Sequence, residues 1–249
     1  MYERSALILD GDGAPLAELS LSLISLGLSP LYAKDLDELI LLSREYGARV
    51  GAVLVPAETI GEQLTEVLRR LVEPLGLPPA AIVPVGAPLP SEAQDELAAR
   101  GLRWKLWRPF EAPDLRFVVA RVVSDTDPDE LRLLGRVPCS IPARAESPLR
   151  VATVRLLDLS LGGCFASLAE PFPRGTRVVL RFDLDGSPCS LRGRVAWAMG
   201  SDAPRWRAAG MGIEFLEIDD DVRPHLDRQV AQRIGCYRLG APRRRERAE

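Results

Sequence analysis

The spacing of apolar residues changes near residue 124, and this change constrains the fold more than any other feature of the 249-residue chain. Up to residue 123, short apolar runs alternate with segments of helix length. From residue 137 onward, apolar and polar residues alternate one by one over successive short runs. The first pattern indicates β/α units and the second indicates half-buried strands, so we expect two domains of different architecture.

Residues 1–123 are predicted to form a doubly wound α/β domain with a parallel five-stranded sheet. The predicted strands are the apolar runs 6–9, 30–33, 50–55, 80–85 and 103–107. Helix-length segments lie between these runs, and parallel strands need crossover connections of that kind.

The boundary between the domains is predicted at residues 124–136, which we assign to a linker. Its first seven residues read Ser-Asp-Thr-Asp-Pro-Asp-Glu, a polar and acidic run typical of a solvated boundary. Asp127 is a suitable cap for a short helical turn that Gly135 can end.

Residues 137–236 are predicted to form an antiparallel β-barrel followed by a C-terminal helix. Runs such as 191–198 and 211–215 alternate with period two, and glycine pairs supply the turns. The helix carries a four-residue apolar repeat, expected to face the barrel, at Val222, Leu226, Val230 and Ile234. Residues 237–249 are predicted to be a disordered basic tail.

Composition narrows the function classes. A net charge of -3 and a pI near 5.5 argue against general nucleic-acid binding, including binding through the arginine-rich tail. No apolar run reaches the ~20 residues needed to span a bilayer, and the amino terminus lacks a signal-peptide pattern, so a cytoplasmic location is expected.

Catalysis, metal binding and a bound cofactor are not expected. The single histidine, His225, lies in the predicted final helix, and the chain has no phosphate-binding loop. The cysteines show no CxxC spacing and are predicted to be buried thiols: Cys139, Cys164, Cys189 and Cys236.

Two short segments carry the candidate ligand-binding residues. Arg132 and Arg136 are four residues apart at the domain boundary. Guanidinium groups bind phosphate bidentately and also match the O6 and N7 acceptors of guanine. Asp158 and Ser160 lie two apart at a predicted strand end, and Gly163 lets backbone and ligand approach closely.

A simpler interpretation stays open for each of these segments. The arginines can pair with linker acids such as Asp127 or Glu130, and Asp-x-Ser-x-x-Gly is ordinary turn chemistry. Arg192 and Arg194 share one strand face and are possible additional contacts, although a solvated outer face also explains them.

In combination, the segments resemble the RxxxR and (D/N)xSxxG motifs of the PilZ domain family. The sequence Gly-Met-Gly-Ile-Glu-Phe at 210–215 resembles the closing strand of that family, and the resemblance covers residues 126–236. It implies cyclic di-GMP binding, with a base site completed by Asp158, Ser160 and Gly163 and a grip on phosphate and guanine by Arg132 and Arg136. An alternative within the family is a protein adaptor that needs no nucleotide, although such members typically lack the arginines.

The first half resembles the response-regulator receiver domain, with departures. Asp10 and Asp12 are possible remnants of the metal-binding acidic pair. Pro56 stands at the expected phosphoacceptor position, and Arg108 and Gly86 replace the usual lysine and hydroxyl residue. The resemblance therefore implies a degenerate receiver that binds a protein partner or a second copy of itself.

Three aromatic residues near the fifth predicted strand are candidates for that contact, with core packing as the alternative: Trp104, Trp107 and Phe110. For the chain as a whole, we expect ligand binding to order the linker and thereby to change the relative placement of the two domains.

Overall fold

A computed structural model describes residues 4–10, 17–124, 135–200 and 209–240. The chain folds into two compact units, one formed by Met1–Asp125 with Gly235–Glu249 and the other by Thr126–Ile234. No helix within the described ranges is long and apolar enough to cross a membrane.

The first unit is a parallel five-stranded sheet flanked by helices, as predicted. Its strands are β1 (Arg4–Leu9), β2 (Leu28–Ala33), β3 (Val50–Pro56), β4 (Ile82–Gly86) and β5 (Leu106–Trp107). The strand order is β2-β1-β3-β4-β5. Its helices are α1 (Ala17–Ser25), α2 (Leu36–Tyr46), α3 (Ala57–Leu75), α4 (Ser91–Ala99) and α5 (Ala112–Ser124).

The apolar runs of the first unit become strands that are covered on both faces. Ala6, Leu7 and Ile8 are consecutive in β1, and all three are completely buried. Because side chains alternate between the two faces of a strand, consecutive burial requires helices on both sides of the sheet. In the sequence, strands that are covered on both faces are recognised by continuous apolar runs, whereas strands with one exposed face alternate apolar and polar residues.

The edge of the sheet at β5 differs from the prediction. The strand predicted over 103–107 contains only Leu106–Trp107. Just before it, the backbone N–H of Lys105 donates to the carbonyl of Tyr237 (2.8 Å), and that of Leu239 donates to the carbonyl of Arg103 (2.9 Å). Residues 237–240, predicted to begin the disordered tail, therefore form part of the first unit, while 241–249 lie outside the described residues.

Aromatic packing explains why the tail prediction was wrong at residue 237. The ring of Tyr237 packs on Phe117 with centroids 5.1 Å apart, and Phe117 meets Trp104 edge-on at 6.0 Å. The Tyr237 hydroxyl also donates to Oδ1 of Asp114 at 2.6 Å. Trp104 is 2% exposed, so core packing is confirmed for it, whereas partner contact through the partly exposed Trp107 and Phe110 stays a prediction.

The second unit is a closed six-stranded antiparallel barrel with a C-terminal helix, as predicted. The strands are β6 (Val137–Glu146), β7 (Val151–Ser160), β8 (Gly163–Ser167), β9 (Arg177–Leu184), β10 (Ser187–Met199) and β11 (Gly210–Glu217). Their order around the barrel is β10-β11-β8-β7-β6-β9. The helix α6 covers Arg223–Tyr237.

The barrel core is built from alternate residues of these strands, such as Leu180, Leu191 and Ile213, which are at most 1% exposed. Val222 and Leu226 from the start of the final helix segment join this core, which confirms the predicted packing for these two positions. Alternate residues of the same strands point outward, and Arg192 and Arg194 are among these exposed positions.

The cysteine prediction holds for part of the set. Cys164 and Cys189 are buried and Cys139 is partly buried, but Cys236 near the end of α6 is exposed, so the buried-thiol prediction was wrong there.

Candidate functional site

The turn between β7 and β8 is held together by the side chain of Ser160. The Ser160 hydroxyl donates to the carbonyl of Gly163 (3.0 Å) and accepts from the backbone N–H of Gly162 (3.3 Å). Ser160 is only 3% exposed. In this structure, its hydroxyl thus fixes the turn, and direct ligand contact by Ser160 stays a prediction.

Gly163 is required by the close approach of a neighbouring strand. A Cβ added at this residue would lie 2.2 Å from the carbonyl oxygen of Ile213 on β11. Any side chain would therefore push β8 away from β11. The glycine that the sequence analysis assigned to ligand approach has a clear packing role, and its ligand contact also stays a prediction.

Asp158 joins the two candidate segments. Its Oδ1 accepts from the backbone N–H of Phe165 on β8 (2.8 Å) and lies 3.3 Å from Nη1 of Arg136. Partial burial raises the pKa of the Asp158 carboxyl, and the Arg136 charge and the Phe165 N–H oppose that rise. The structure thereby brings Arg136 and Asp158 together across 22 residues of sequence.

The second predicted arginine cannot be placed in the same way. Arg132 lies outside the described residues, as does the short helical turn predicted around it. Arg136 is described, and its side chain is 44% exposed. The predicted convergence of Arg132 and Arg136 on one ligand therefore stays a prediction.

Arg192 and Arg194 lie on the outer face of β10 and are both paired with glutamates of β11. Nη2 of Arg192 lies 3.1 Å from Oε2 of Glu217, and Nη2 of Arg194 lies 2.8 Å from Oε2 of Glu214. All four side chains are at least half exposed. Both arginines therefore lie on a solvated outer face, as the alternative interpretation of the sequence predicts. Their contact with a ligand stays a prediction.

A stacked aromatic pair, of which Trp197 is exposed and Phe165 is partly buried, was missed by the sequence analysis. The rings of Phe165 and Trp197 are nearly parallel, with an interplanar angle of 13° and centroids 5.4 Å apart. Trp197 is 41% exposed. A Cβ at Gly212 would lie 2.2 Å from Nε1 of Trp197, and one at Gly210 would lie 2.7 Å from Cζ of Phe165. Both rings therefore pack directly against the two glycines of β11.

The aromatic pair lies in one row with Asp158 across four strands. Asp158 of β7 is in register with Phe165 of β8, which is in register with Gly212 of β11, which faces Trp197 of β10. Three strand spacings correspond to about 14 Å. The sequence signal that could have predicted the aromatic pair is the presence of glycines within the closing strand. A glycine in a strand often marks the close approach of another group.

Four of the residues that were compared with the receiver pattern lie at the carboxyl edge of the first unit. Asp10 directly follows β1, Pro56 ends β3 and Gly86 ends β4. Arg108 directly follows β5, and its backbone N–H donates to the carbonyl of Gly86 at 2.7 Å. Proline has no carboxylate to accept a phosphoryl group, while Asp12 lies outside the described residues.

Fold and site together define a receiver-like α/β unit joined to a small barrel whose outer face carries an arginine, a carboxylate and an aromatic pair. Residues 130–232 match the family described as the PilZ domain. The resemblance inferred from the sequence motifs is thus confirmed for this part of the chain. No curated protein matches the sequence.

Solved structures resemble each part of the chain. The PilZ domain of CeSA from a cellulose-synthesizing bacterium is 23% identical, and the match covers 38% of this chain and 93% of that one with a TM-score of 0.30. The PilZ domain of YcgR from Escherichia coli, solved with c-di-GMP, is 16% identical over 40% and 88% of the two chains, with a TM-score of 0.34.

A response regulator from Thermotoga maritima resembles the N-terminal part. It is 18% identical, and the match covers 49% of this chain and 98% of that one with a TM-score of 0.41. The strand order of each unit, rather than these scores, establishes the fold.

Proposed function

We propose that the second unit binds cyclic di-GMP on the outer face of its barrel, around Arg136 and Asp158. The observation that carries this proposal is the 3.3 Å contact between Nη1 of Arg136 and Oδ1 of Asp158. It joins the two motifs that the PilZ family match covers, at a position open to solvent.

Each group on this face suits one part of the nucleotide. The Arg136 guanidinium provides a charged, bidentate donor for phosphate or for the guanine O6 and N7 acceptors. The Asp158 carboxylate can accept from guanine N–H groups. The exposed Trp197 offers a ring on which a base can stack. Ser160 and Gly163 support these groups by holding the turn, and Arg132 remains a predicted second phosphate contact.

The contact between Arg136 and Asp158 does not prevent ligand entry. Their side chains are 44% and 31% exposed. Ion pairs at exposed positions are worth about 0–1 kcal/mol, so a dianionic ligand can take Arg136 from Asp158 at little cost. The pair therefore serves to pre-position both side chains in the unliganded protein.

Isothermal titration of the full chain with cyclic di-GMP tests the proposal. Loss of a hydrogen bond to a charged group costs about 1.5 to 3 kcal/mol, so Arg136→Ala should weaken binding roughly tenfold to a hundredfold. Arg181→Ala is the matched control. Arg181 is an exposed arginine of β9, which lies across the barrel from β8, and its Nε lies 3.3 Å from Oε1 of Glu146. The control variant should bind like the wild type.

A titration without binding heat from the folded wild-type chain would contradict the proposal. That outcome would favour the nucleotide-independent adaptor. Equal weakening by Arg136→Ala and Arg181→Ala would instead indicate non-specific electrostatic binding to the barrel.

We further propose that ligand binding acts on the predicted linker, residues 124–136. Arg132 belongs to that segment, and a ligand held by both Arg132 and Arg136 would restrict it and change the relative placement of the units. The first unit, in which Pro56 replaces the phosphoacceptor, would bind a protein partner or a second copy of the chain. The changed placement of the units would alter that binding. Small-angle scattering profiles that superimpose with and without saturating ligand would exclude this coupling.

A further inference from the structure

Glu214 lies on the outer face of β11 between the aromatic pair and the turn at the end of β7. It is two residues from Gly212, on which Trp197 rests, and in register with Gly163 on β8. Two residues along a strand correspond to about 7 Å, and residues i and i+2 share a face. Glu214 is thereby a neighbour of the surface on which we place the base.

The Glu214 carboxylate is held in place but remains accessible. Its Oε2 accepts from Nη2 of Arg194 at 2.8 Å, and its side chain is 50% exposed. Asp158, by comparison, already accepts hydrogen bonds from the backbone N–H of Phe165 and from Nη1 of Arg136. Of the two carboxylates near the aromatic pair, Glu214 is thus the one less engaged by hydrogen bonds among the described residues.

A carboxylate at this position discriminates between purine bases. Guanine carries N–H donors at N1 and N2 on one edge, and a carboxylate accepts from both. Adenine presents an unprotonated ring nitrogen in place of the guanine N1–H, so the same carboxylate would face an acceptor. Arg194 offsets the charge of Glu214, which limits its repulsion of the phosphates.

We propose that Glu214 selects guanine over adenine at the barrel site; this inference rests on the proposed binding of cyclic di-GMP. Glu214 acts as the acceptor for the Watson–Crick edge of a base stacked at Trp197. Arg194 holds the carboxylate in position for this contact.

Titration of Glu214→Gln with cyclic di-GMP and with cyclic di-AMP tests the inference. The two ligands have the same phosphates and sugars and differ in their bases. Relative to cyclic di-AMP, the variant should lose roughly tenfold or more in affinity for cyclic di-GMP. The ratio of the two affinities is the readout, because release of Arg194 would act on the phosphates of both ligands.

Glu217→Gln is the matched control. Glu217 lies on the same strand, is exposed, and pairs with Arg192 at 3.1 Å, but it is five residues from Gly212. This variant should keep the wild-type ratio of affinities.

Two outcomes would overturn the inference, and they are distinguishable. An unchanged ratio in Glu214→Gln, in a protein whose cyclic di-GMP binding depends on Arg136, would reject Glu214 as the selective group and leave the proposed function intact. Failure of the wild-type protein to bind cyclic di-GMP would reject both.

Discussion

The indole of Trp197 lies directly over Gly212, so closely that a Cβ at residue 212 would come within 2.2 Å of Nε1. Phe165 rests in the same way over Gly210. The two glycines of the closing strand thereby determine where the aromatic surface beside Asp158 can form.

Gly212→Ala should displace the Trp197 ring and destabilise the barrel. Inserting a methyl group into a filled position costs about 1–3 kcal/mol, which denaturant unfolding would measure. Displacement of the ring should also change the near-ultraviolet circular dichroism. Gly162→Ala, where no atom lies within 4 Å of the added Cβ, is the control and should leave both properties nearly unchanged. An unperturbed Gly212→Ala variant would mean that the ring does not rest on this glycine.

Ser160→Ala should destabilise the turn between β7 and β8. The substitution removes the donor to the Gly163 carbonyl and leaves that buried group without it, at a cost of about 1–3 kcal/mol in the free energy of unfolding. Ser190→Ala on the outer face of β10 removes an exposed hydroxyl and should have almost no effect. Equal unfolding free energies for the two variants would argue against a structural role for Ser160.

Asp158 should make stability depend on pH in a definite direction. Its pKa is raised in the folded protein, chiefly by burial, above the ordinary value of 3.8. The folded state therefore binds this proton more tightly than the unfolded state does. The resulting stabilisation is complete below pH 3.8 and is lost as pH rises through the raised pKa.

Asp158→Asn isolates that contribution, because asparagine keeps an acceptor for the Phe165 N–H and does not titrate. Unfolding free energies measured from pH 3.8 upward should fall more steeply in the wild type than in the variant. Ligand binding should show the opposite trend: it strengthens in the wild type as the carboxylate forms. Parallel pH profiles for the two proteins would contradict both expectations.

The cysteines should differ widely in reactivity. Burial, assisted by the Asp158 charge, raises the pKa of the Cys139 thiol to about 12, so little thiolate exists at neutral pH. Cys236 is exposed. Mass-spectrometric mapping after brief alkylation of the native protein should find Cys236 modified first. Equally fast modification of Cys139 would mean that the barrel opens readily near Asp158.

The prediction of architecture succeeded where the pattern was local. Consecutive apolar residues such as Ala6 to Ile8 indicated doubly covered parallel strands, and period-two runs indicated the barrel. It was wrong at residues 237–240, because their composition resembles a tail and their packing depends on Trp104 and Phe117, more than a hundred residues away.

For the candidate site, the sequence alone determined the two motifs, a proline rather than a carboxylate at residue 56 and a single histidine, because each follows from residue identity and spacing. Only the tertiary structure decided that Asp158 meets Arg136, that Ser160 is buried within its turn, and that Trp197 rests on Gly212 beside Glu214. These relationships depend on the register between strands, and register is decided by the burial of the whole barrel core rather than by any one segment.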